Sequence, residues 1–273
     1  MITNSVHTNS SAIIALQGLN RTNDELSITQ KRVSTGFRVS DAYDDAGSFA
    51  IAQGLRSDMK GYDAIKEQLS KARGTLTVAS DVTRRISDTM GDVRAVLTRL
   101  ADDNVTGSQR SQYEVEYTSL RGEISRFIDN ATFNGSNLLD NTTDLNVIAN
   151  LDGTTISINA QNLTTDVHAL LTDTPSATSA RALLAAGGDF ETATTNVNNA
   201  MAQLGSDVRT LDNQISYIGN ISDATEEGIG AIVDADLAKE SARLQALQIR
   251  QQLGTQTLSI ANQAPQILLS LFQ

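Results

Sequence analysis

The stretch IAQGLRSDMKGYDAIKEQLSKARGTLTVASDVTRRISDTMGDVRAVLTRL, residues 51–100, decides the fold. Alternate steps of four and three residues from Ile51 to Leu100 pick out a row of side chains. All members of this row except Asp58 and Thr83 are apolar or aromatic. Such a heptad seam predicts one continuous helix packed against other helices. At 1.5 Å per residue the helix would be about 75 Å long, so the sequence predicts an elongated protein.

Other rows with helical spacing precede and follow this seam. The first lies near the start of the chain and consists of Ala12, Leu16, Leu19, Asn23, Leu26, Gln30, Val33 and Phe37. The two polar members, Asn23 and Gln30, either fix the register of a packed helix or mark a marginal, solvated one, and both interpretations stay open. Three further helices are predicted, one over residues 113–127, one over 197–218 and one from residue 237 toward the C-terminus.

A different pattern separates the third and fourth predicted helices. Two β-prone runs flank Asp152-Gly153, a dipeptide that favours hairpins, so a β-hairpin is predicted at about 144–160. Residues 171–190 are rich in small side chains and are predicted to be a short variable connection. The predicted fold class is mainly α. The N- and C-terminal halves form a long antiparallel coiled-coil-like helical rod, and the hairpin is a small cap.

Composition excludes several classes of function. The chain has 273 residues, a formal net charge of −11 and no cysteine. Binding to nucleic acid requires a basic face, so no nucleic-acid partner is expected. Without cysteine there is no disulfide framework or thiolate metal site. The start, MITNSVHTNSS, lacks a basic region followed by an apolar run, and no window approaches the roughly 18 apolar residues of a membrane span. We therefore expect neither a cleaved signal peptide nor membrane insertion.

The residue types that carry catalysis form no catalytic pattern. His7 and His168 lie in unrelated segments and outside the spacing of an HExxH zinc site. Adjacent acidic residues such as Asp44 and Asp45 would point about 100° apart on a helix. They suit a solvated surface, or an N-cap in the case of Asp44, better than paired acid–base chemistry. We predict no enzymatic activity, no cofactor and no metal.

The last predicted helix is apolar on two faces. One row consists of Leu237, Leu244, Leu247 and Leu258, and the other of Ile249, Leu253, Ile260, Ile267 and Leu271. A helix with two apolar faces needs two neighbours. The simplest source of the second neighbour is another copy of the same chain.

Three separated segments carry a resemblance to a known family. They are LNRTNDELSITQKRVSTGFRVSDAYDDAGSFAIAQGL (residues 19–55), ATFNGSNLL (residues 131–139) and IVDADLAKESARLQALQIRQQLGTQTLSIANQAPQILLSLF (residues 232–272). In this order they resemble the conserved segments of bacterial flagellin. The resemblance covers about residues 1–165 and 195–273.

The resemblance implies a short, core-only flagellin, which is a structural subunit that polymerises into the flagellar filament for swimming motility. Residues 1–40 and 235–273 would form the inner filament core. Residues 41–170 and 191–234 would form the helical rod, and 171–190 would replace the outer domains of larger relatives. The implied location is the extracellular filament. The implied partners are other copies of the chain, an export chaperone with the flagellar type III export apparatus, and hook-associated and cap proteins.

The resemblance and the apolar rows together predict a polymerisation core from both ends of the chain. Its members are Leu16, Leu19, Leu26, Val33, Leu244, Leu247, Leu258, Ile260, Ile267, Leu268, Leu269, Leu271 and Phe272. Burying one leucine contributes roughly 1.5–3 kcal/mol, whereas ordering each backbone residue costs roughly 1–2 kcal/mol. We therefore expect the ends to become ordered together with assembly, and the apolar tail to be an interface.

The long helix carries a degenerate immune-receptor epitope. Flagellins recognised by the mammalian receptor have Gln-Arg-Val-Arg-Glu-Leu here, whereas this chain has GDVRAV at residues 91–96. The candidate residues are Asp92, Arg94, Ala95, Val96 and Glu116, the last at a matching supporting acidic position. Asp92 reverses a charge, which would leave receptor groups unpaired or repelled. We predict weak or no receptor activation.

A second interpretation is a hook-filament junction protein of similar helical design, which adds once instead of polymerising. The run ANQAPQ before the apolar tail favours flagellin.

Overall fold

The computed structural model of the chain describes the backbone of residues 8–171 and 175–270, and the side chains as far as residue 263. The elements are helices α1 (Ser10–Thr35), α2 (Ala46–Leu100) and α3 (Gly107–Asp129), strands β1 (Thr132–Phe133), β2 (Ser136–Asn137), β3 (Leu145–Ile148) and β4 (Thr155–Ile158), a π-helical turn (Thr164–His168), and helices α4 (Ala177–Leu184), α5 (Asp189–Val233) and α6 (Leu237–Ser270). The predicted mainly α fold is confirmed.

The chain divides into two compact units. The terminal unit contains the chain up to Ser57 and the chain from Ala224 onward. The central unit contains residues Asp58–Asp223.

The heptad seam of α2 is the centre of the central unit's core. Every seam position from Ile65 to Leu100 is buried, together with side chains of α3 and α5 that include Tyr117 and Leu204. The polar seam member Thr83 can be buried at little cost, because its hydroxyl donates a hydrogen bond to the carbonyl of Ala79, at 2.8 Å. This local bond satisfies a hydroxyl that would otherwise destabilise the core.

The beginning of the seam was predicted wrongly. Ile51 is 58% exposed, and Asp58 is exposed as well. The fully buried residue in this part of α2 is Ala52. The row of inward side chains is therefore displaced by one residue near the start of the helix.

The hairpin predicted at about 144–160 is confirmed as β3 and β4, paired antiparallel with Ile148 opposite Thr155. Gly153 supplies the left-handed backbone of its turn, with φ +79°. A second hairpin, β1–β2, was not predicted. Its turn residues Asn134 and Gly135 both have positive φ, 49° and 78°, as a two-residue type I′ turn requires.

Both hairpins contact α2 at glycines. A Cβ atom on Gly74 would lie 2.9 Å from the Phe133 ring, and one on Gly61 would lie 2.3 Å from the Leu151 side chain. Larger side chains at these two positions would collide with the hairpins. The glycines therefore allow the hairpins to pack closely on the helix.

The segment predicted as a variable connection contains helix α4. The Ser176 hydroxyl accepts from the N–H of Ser179, at 3.2 Å, and so caps its first turn. Ala180 and Leu183 are buried. The Arg181 guanidinium donates to the carboxylate of Asp103, at 2.7 Å.

Helix α5 carries a buried carboxylate. Asp207 is 9% exposed, and its Oδ1 accepts from the side-chain amide of Gln203, at 2.9 Å. Its Oδ2 has no hydrogen-bond partner among the described residues. Burial raises the pKa of Asp207 above its ordinary value because removal from water disfavours the charged form.

Candidate assembly interface

Helices α1 and α6 form an antiparallel pair in the terminal unit. At one end, the Asn9 side-chain amide donates to the carbonyl of Ala261, at 2.7 Å. At the other end, Arg32 Nη1 donates to Glu240 Oε1, at 3.2 Å. The two helices thus run side by side along most of their lengths.

The face of α1 toward α6 differs from the predicted row. Its buried and half-buried members are Ala12, Ala15, Leu19, Thr22, Leu26, Thr29 and Val33. The prediction was right for Ala12, Leu19, Leu26 and Val33, and wrong for Leu16 and Phe37, which are exposed. Asn23 and Gln30 are exposed, as in the solvated interpretation, although Asn23 Oδ1 accepts from Gln251 of α6 at 2.8 Å.

Small side chains explain this change of row. Ala15, Thr22 and Thr29 take the positions predicted for the larger residues, so α6 can approach α1 closely. A Cβ atom on Gly254 of α6 would be 3.2 Å from Leu19 Cδ1. The Thr22 hydroxyl is satisfied within its own helix by the carbonyl of Gly18, at 3.0 Å.

The two apolar rows predicted on α6 face different environments. Leu247 is buried, and Leu244 and Leu258 are half-buried. In the second row, Ile249 is 58% exposed, Leu253 57% and Ile260 62%. Leu237 departs from the first row, since it is 49% exposed.

Helix α1 has exposed apolar residues of its own. Ile13 is 51% exposed, Ile14 69%, Leu16 46% and Ile28 47%. The prediction included only Leu16 of these four. For Ile13 and Ile14 the signal was their adjacency, because neighbouring residues on a helix point about 100° apart; Ile28 carried no such signal.

The predicted polymerisation core therefore divides by accessibility. Two members are exposed, Leu16 and Ile260. Five are half-buried between α1 and α6, namely Leu19, Leu26, Val33, Leu244 and Leu258. The remaining tail members lie outside the described side chains; they are Ile267, Leu268, Leu269, Leu271 and Phe272. Leu247 is 2% exposed. Its side chain is thus already covered within its own chain, and its place in a contact between copies stays a prediction.

Comparison with known proteins identifies the family. Residues 6–144 match the bacterial flagellin N-terminal helical region, and residues 188–272 match the bacterial flagellin C-terminal helical region. The chain is 38% identical to flagellin FljM of Caulobacter vibrioides, with all of both chains covered. It is 37% identical to a flagellin of Brucella melitensis, with 98% of this chain and 99% of the relative covered. The chain belongs to the bacterial flagellin family.

Solved structures show the same fold. A Bacillus cereus flagellin has a TM-score of 0.51 at 21% identity and matches 56% of this flagellin and 88% of its own chain. A Vibrio parahaemolyticus protein described as a putative flagellar hook-associated protein has a TM-score of 0.58 at 16% identity, covering 70% of this flagellin and all of its own chain. Within the described residues, no helix has both the length and the apolar content needed to cross a bilayer.

The loop between α1 and α2 of this flagellin is fixed by hydrogen bonds. Gly36 ends α1 with a left-handed backbone, φ +77°. The N–H groups of Arg38 and Val39 both donate to the carbonyl of Val233, at 2.7 and 3.2 Å. The N–H of Ala235 donates to the carbonyl of Gly36, at 2.9 Å. The loop is thus attached to the segment that joins α5 and α6.

Carboxylates order the rest of the loop. Lys31 Nζ contacts Asp41 at 2.6 Å and Asp44 at 2.9 Å, and its hydrogen bonds lower the pKa of both carboxyl groups. Asp44 also accepts from the N–H of Ser40, at 3.0 Å. The predicted N-cap at Asp44 is wrong. Asp45 caps α2 instead, because its Oδ1 accepts from the N–H of the second and third helical residues, at 3.1 and 3.2 Å.

The residues of the predicted receptor epitope do not all lie at the surface. Asp92, Arg94 and Ala95 are exposed on α2. Glu116 is exposed on α3, and its carboxylate lies 3.9 Å from the guanidinium of an arginine of α2. Val96 is 2% exposed, so its side chain belongs to the core and offers no contact surface.

Proposed function

We propose that this flagellin is a filament-forming subunit whose copies associate through the outward faces of α1 and α6. The observation that supports this is the row Ile249, Leu253 and Ile260, which is exposed along a helix whose opposite face is already paired. An exposed apolar row that its own chain does not cover is typical of an interaction surface. Residues 1–40 and 235–273 then form the inner filament core, and the rest of the chain the surrounding layer.

Burial within the pair supports assembly-coupled folding. Among the described side chains of α1 and α6, the buried ones are Thr29, Glu240 and Leu247. The pair thus has little apolar core of its own, whereas ordering each residue costs roughly 1–2 kcal/mol. Neighbouring copies would supply the missing burial at the outward faces. The terminal helices then become stable at the growing end of a filament.

We further propose that the subunit is exported unfolded through the flagellar type III apparatus with a chaperone, and that it meets hook-associated and cap proteins at the ends of the filament. The absence of cysteine is compatible with passage to an oxidising exterior. The outward row of α6 is the surface that a chaperone would cover before export.

The hook-filament junction protein is the alternative. The similarity to a putative hook-associated protein concerns the fold alone, at 16% identity. The identity of 36–38% to several named flagellins over complete chains favours the filament subunit.

Seeded polymerisation tests the proposal. Purified chain is added to short filament fragments, and growth is followed by sedimentation and electron microscopy. A filament subunit extends the seeds into long fibres, whereas a junction protein adds once and growth stops. A chain ending at Ala261 is compared in parallel. If it polymerises as well as the full chain, the apolar tail is not part of the interface.

The surface at Asp92, Arg94 and Ala95 supports weak recognition by the mammalian flagellin receptor. Purified monomer should produce little response in receptor reporter cells. A response as strong as that to a flagellin with the complete Gln-Arg-Val-Arg-Glu-Leu stretch would refute this part of the proposal.

A further inference from the structure

An exposed apolar surface lies where the α1–α2 loop enters α2. Tyr43 is 99% exposed and Ile51 is 58% exposed. Gly47 comes four residues before Ile51, and Gly54 comes three residues after it. The three residues therefore lie on one face of the helix. A Cβ atom on Gly54 would meet nothing within 4 Å. We call Tyr43, Gly47, Ile51 and Gly54 the loop–helix surface.

The chain covers only the opposite face of this part of α2. There, Ala52 is fully buried, and Phe49 and Leu55 are half-buried. The two exposed glycines leave the backbone beside Ile51 accessible, so another helix could approach closely. The loop–helix surface thus combines accessible backbone with one aliphatic and one aromatic side chain.

Tyr43 is held by an ordered backbone. Its N–H donates to Asp41 Oδ1, at 2.8 Å, and Asp41 is in turn bound by Lys31. An aromatic side chain on a fixed loop loses little conformational entropy when a partner covers it. Tyrosine is also among the residues enriched at protein interfaces. Among the described residues, no side chain covers this ring, which is 99% exposed.

The outward row of α6 matches this surface in pattern and charge. Ile249, Leu253 and Ile260 are exposed and recur with helical spacing. Over residues 241–263 the charged side chains are Arg243, which lies 3.8 Å from Glu25 of its own chain, and Arg250. Over residues 43–54 they are Asp44, which Lys31 binds, and the exposed helix-capping Asp45. Opposite charges favour the approach and orientation of two such surfaces. The opposite face of α6 is occupied by its own α1, so the row is available to another molecule.

We propose that the loop–helix surface of one copy receives the outward row of α6 from a second copy. This inference rests on the proposed polymerisation and adds its receiving surface. Each α6 then contacts its own α1 on one face and the start of a neighbour's α2 on the other.

Disulfide cross-linking tests the contact, because the natural chain contains no cysteine. Ile51→Cys chains are mixed separately with Ile249→Cys, Leu253→Cys or Ile260→Cys chains, polymerised on seeds and oxidised. A disulfide forms only when the two Cβ atoms come within about 4.5 Å. At least one mixture should give a cross-linked dimer, and Val115→Cys, a 70% exposed position on α3, should give none with Ile51→Cys.

Two results would overturn the inference. One is filaments of normal length with no dimer in any of the three mixtures. The other is a dimer of equal yield with the Val115→Cys control. If the natural chain itself forms no filaments on seeds, the proposed polymerisation fails first, so the two failures are distinguishable.

A second measurement uses the tyrosine. Tyr43→Ala should raise the critical concentration for growth about tenfold, the effect of one substantial interface residue, with unchanged thermal unfolding of the monomer. Tyr217→Ala, a 53% exposed tyrosine on α5, is the matched control and should change it less than about twofold. Equal effects of the two substitutions would contradict the proposal.

Discussion

Replacing Ile249 and Leu253 together by serine should impair assembly without unfolding the monomer. Their exposed fractions, 58% and 57%, are the part of each side chain that only a neighbouring copy can bury. Complete burial of such a side chain contributes roughly 1.5–3 kcal/mol. A little more than half of this is about 0.9–1.7 kcal/mol per residue, or about 1.8–3.4 kcal/mol for the pair. At 1.4 kcal/mol per tenfold change, the critical concentration should rise about 20- to 300-fold.

The assay is sedimentation of seeded reactions at increasing subunit concentration, with the plateau of unsedimented protein as the critical concentration. Circular dichroism of the monomer should show unchanged thermal unfolding for the double variant. Leu247→Ser is the control from the other row of the same helix. Because Leu247 is buried within its own chain, its loss should weaken the α1–α6 pair inside each subunit and not a contact between subunits. An unchanged critical concentration for the double variant would refute the assignment of the outward row to the interface.

Three further predictions concern the stability of the fold. Gly91→Ala should raise the melting temperature, because nothing lies within 4 Å of the new Cβ and alanine favours a helix over glycine by about 1 kcal/mol. Gly74→Ala should lower the melting temperature, because the Phe133 ring must move. Thermal unfolding of both variants tests these opposite effects. Burial raises the pKa of Asp207 above 3.8, so its charge destabilises the fold at neutral pH. Asp207→Asn should therefore increase the free energy of urea unfolding at pH 7. The gain should shrink as the pH falls through the raised pKa and vanish well below pH 3.8, where the carboxyl is protonated in both folded and unfolded chains. Lys31→Met should accelerate hydrogen exchange of the α1–α2 loop amides at neutral pH, and unchanged exchange would show that the lysine does not order the loop.

The long helices and the main hairpin could be predicted because their signals are local. A heptad seam sustained from Ile65 to Leu100 has one consistent apolar face, and Asp152-Gly153 fixes a turn whatever surrounds it. The hairpin at Asn134-Gly135 has the same kind of signal, and it was missed because its strands have only two residues each. Strands this short show no alternation of apolar and polar side chains.

Which row of α1 faces its partner could not be predicted in the same way. Leu16 and Ala15 are adjacent, and the more apolar residue is the natural choice for an inward position. The structure places the smaller one inside, on the face where Leu19 packs against Gly254 of α6. The exposure of Tyr43 is likewise a property of the loop's hydrogen bonds to distant residues, and spacing within the sequence carries no information about it.

The outward and inward rows of α6 have a consequence for how this protein can change over generations. A substitution at Leu247 acts inside each molecule, on the pairing of its own α1 and α6. Substitutions at Ile249, Leu253 and Ile260 act on the contact between molecules. A harmful change in the product of one gene can therefore be compensated when it assembles together with the product of another gene. Where a cell carries several such genes, the outward row can therefore diversify while the inward row remains fixed, although both lie on the same turns of one helix.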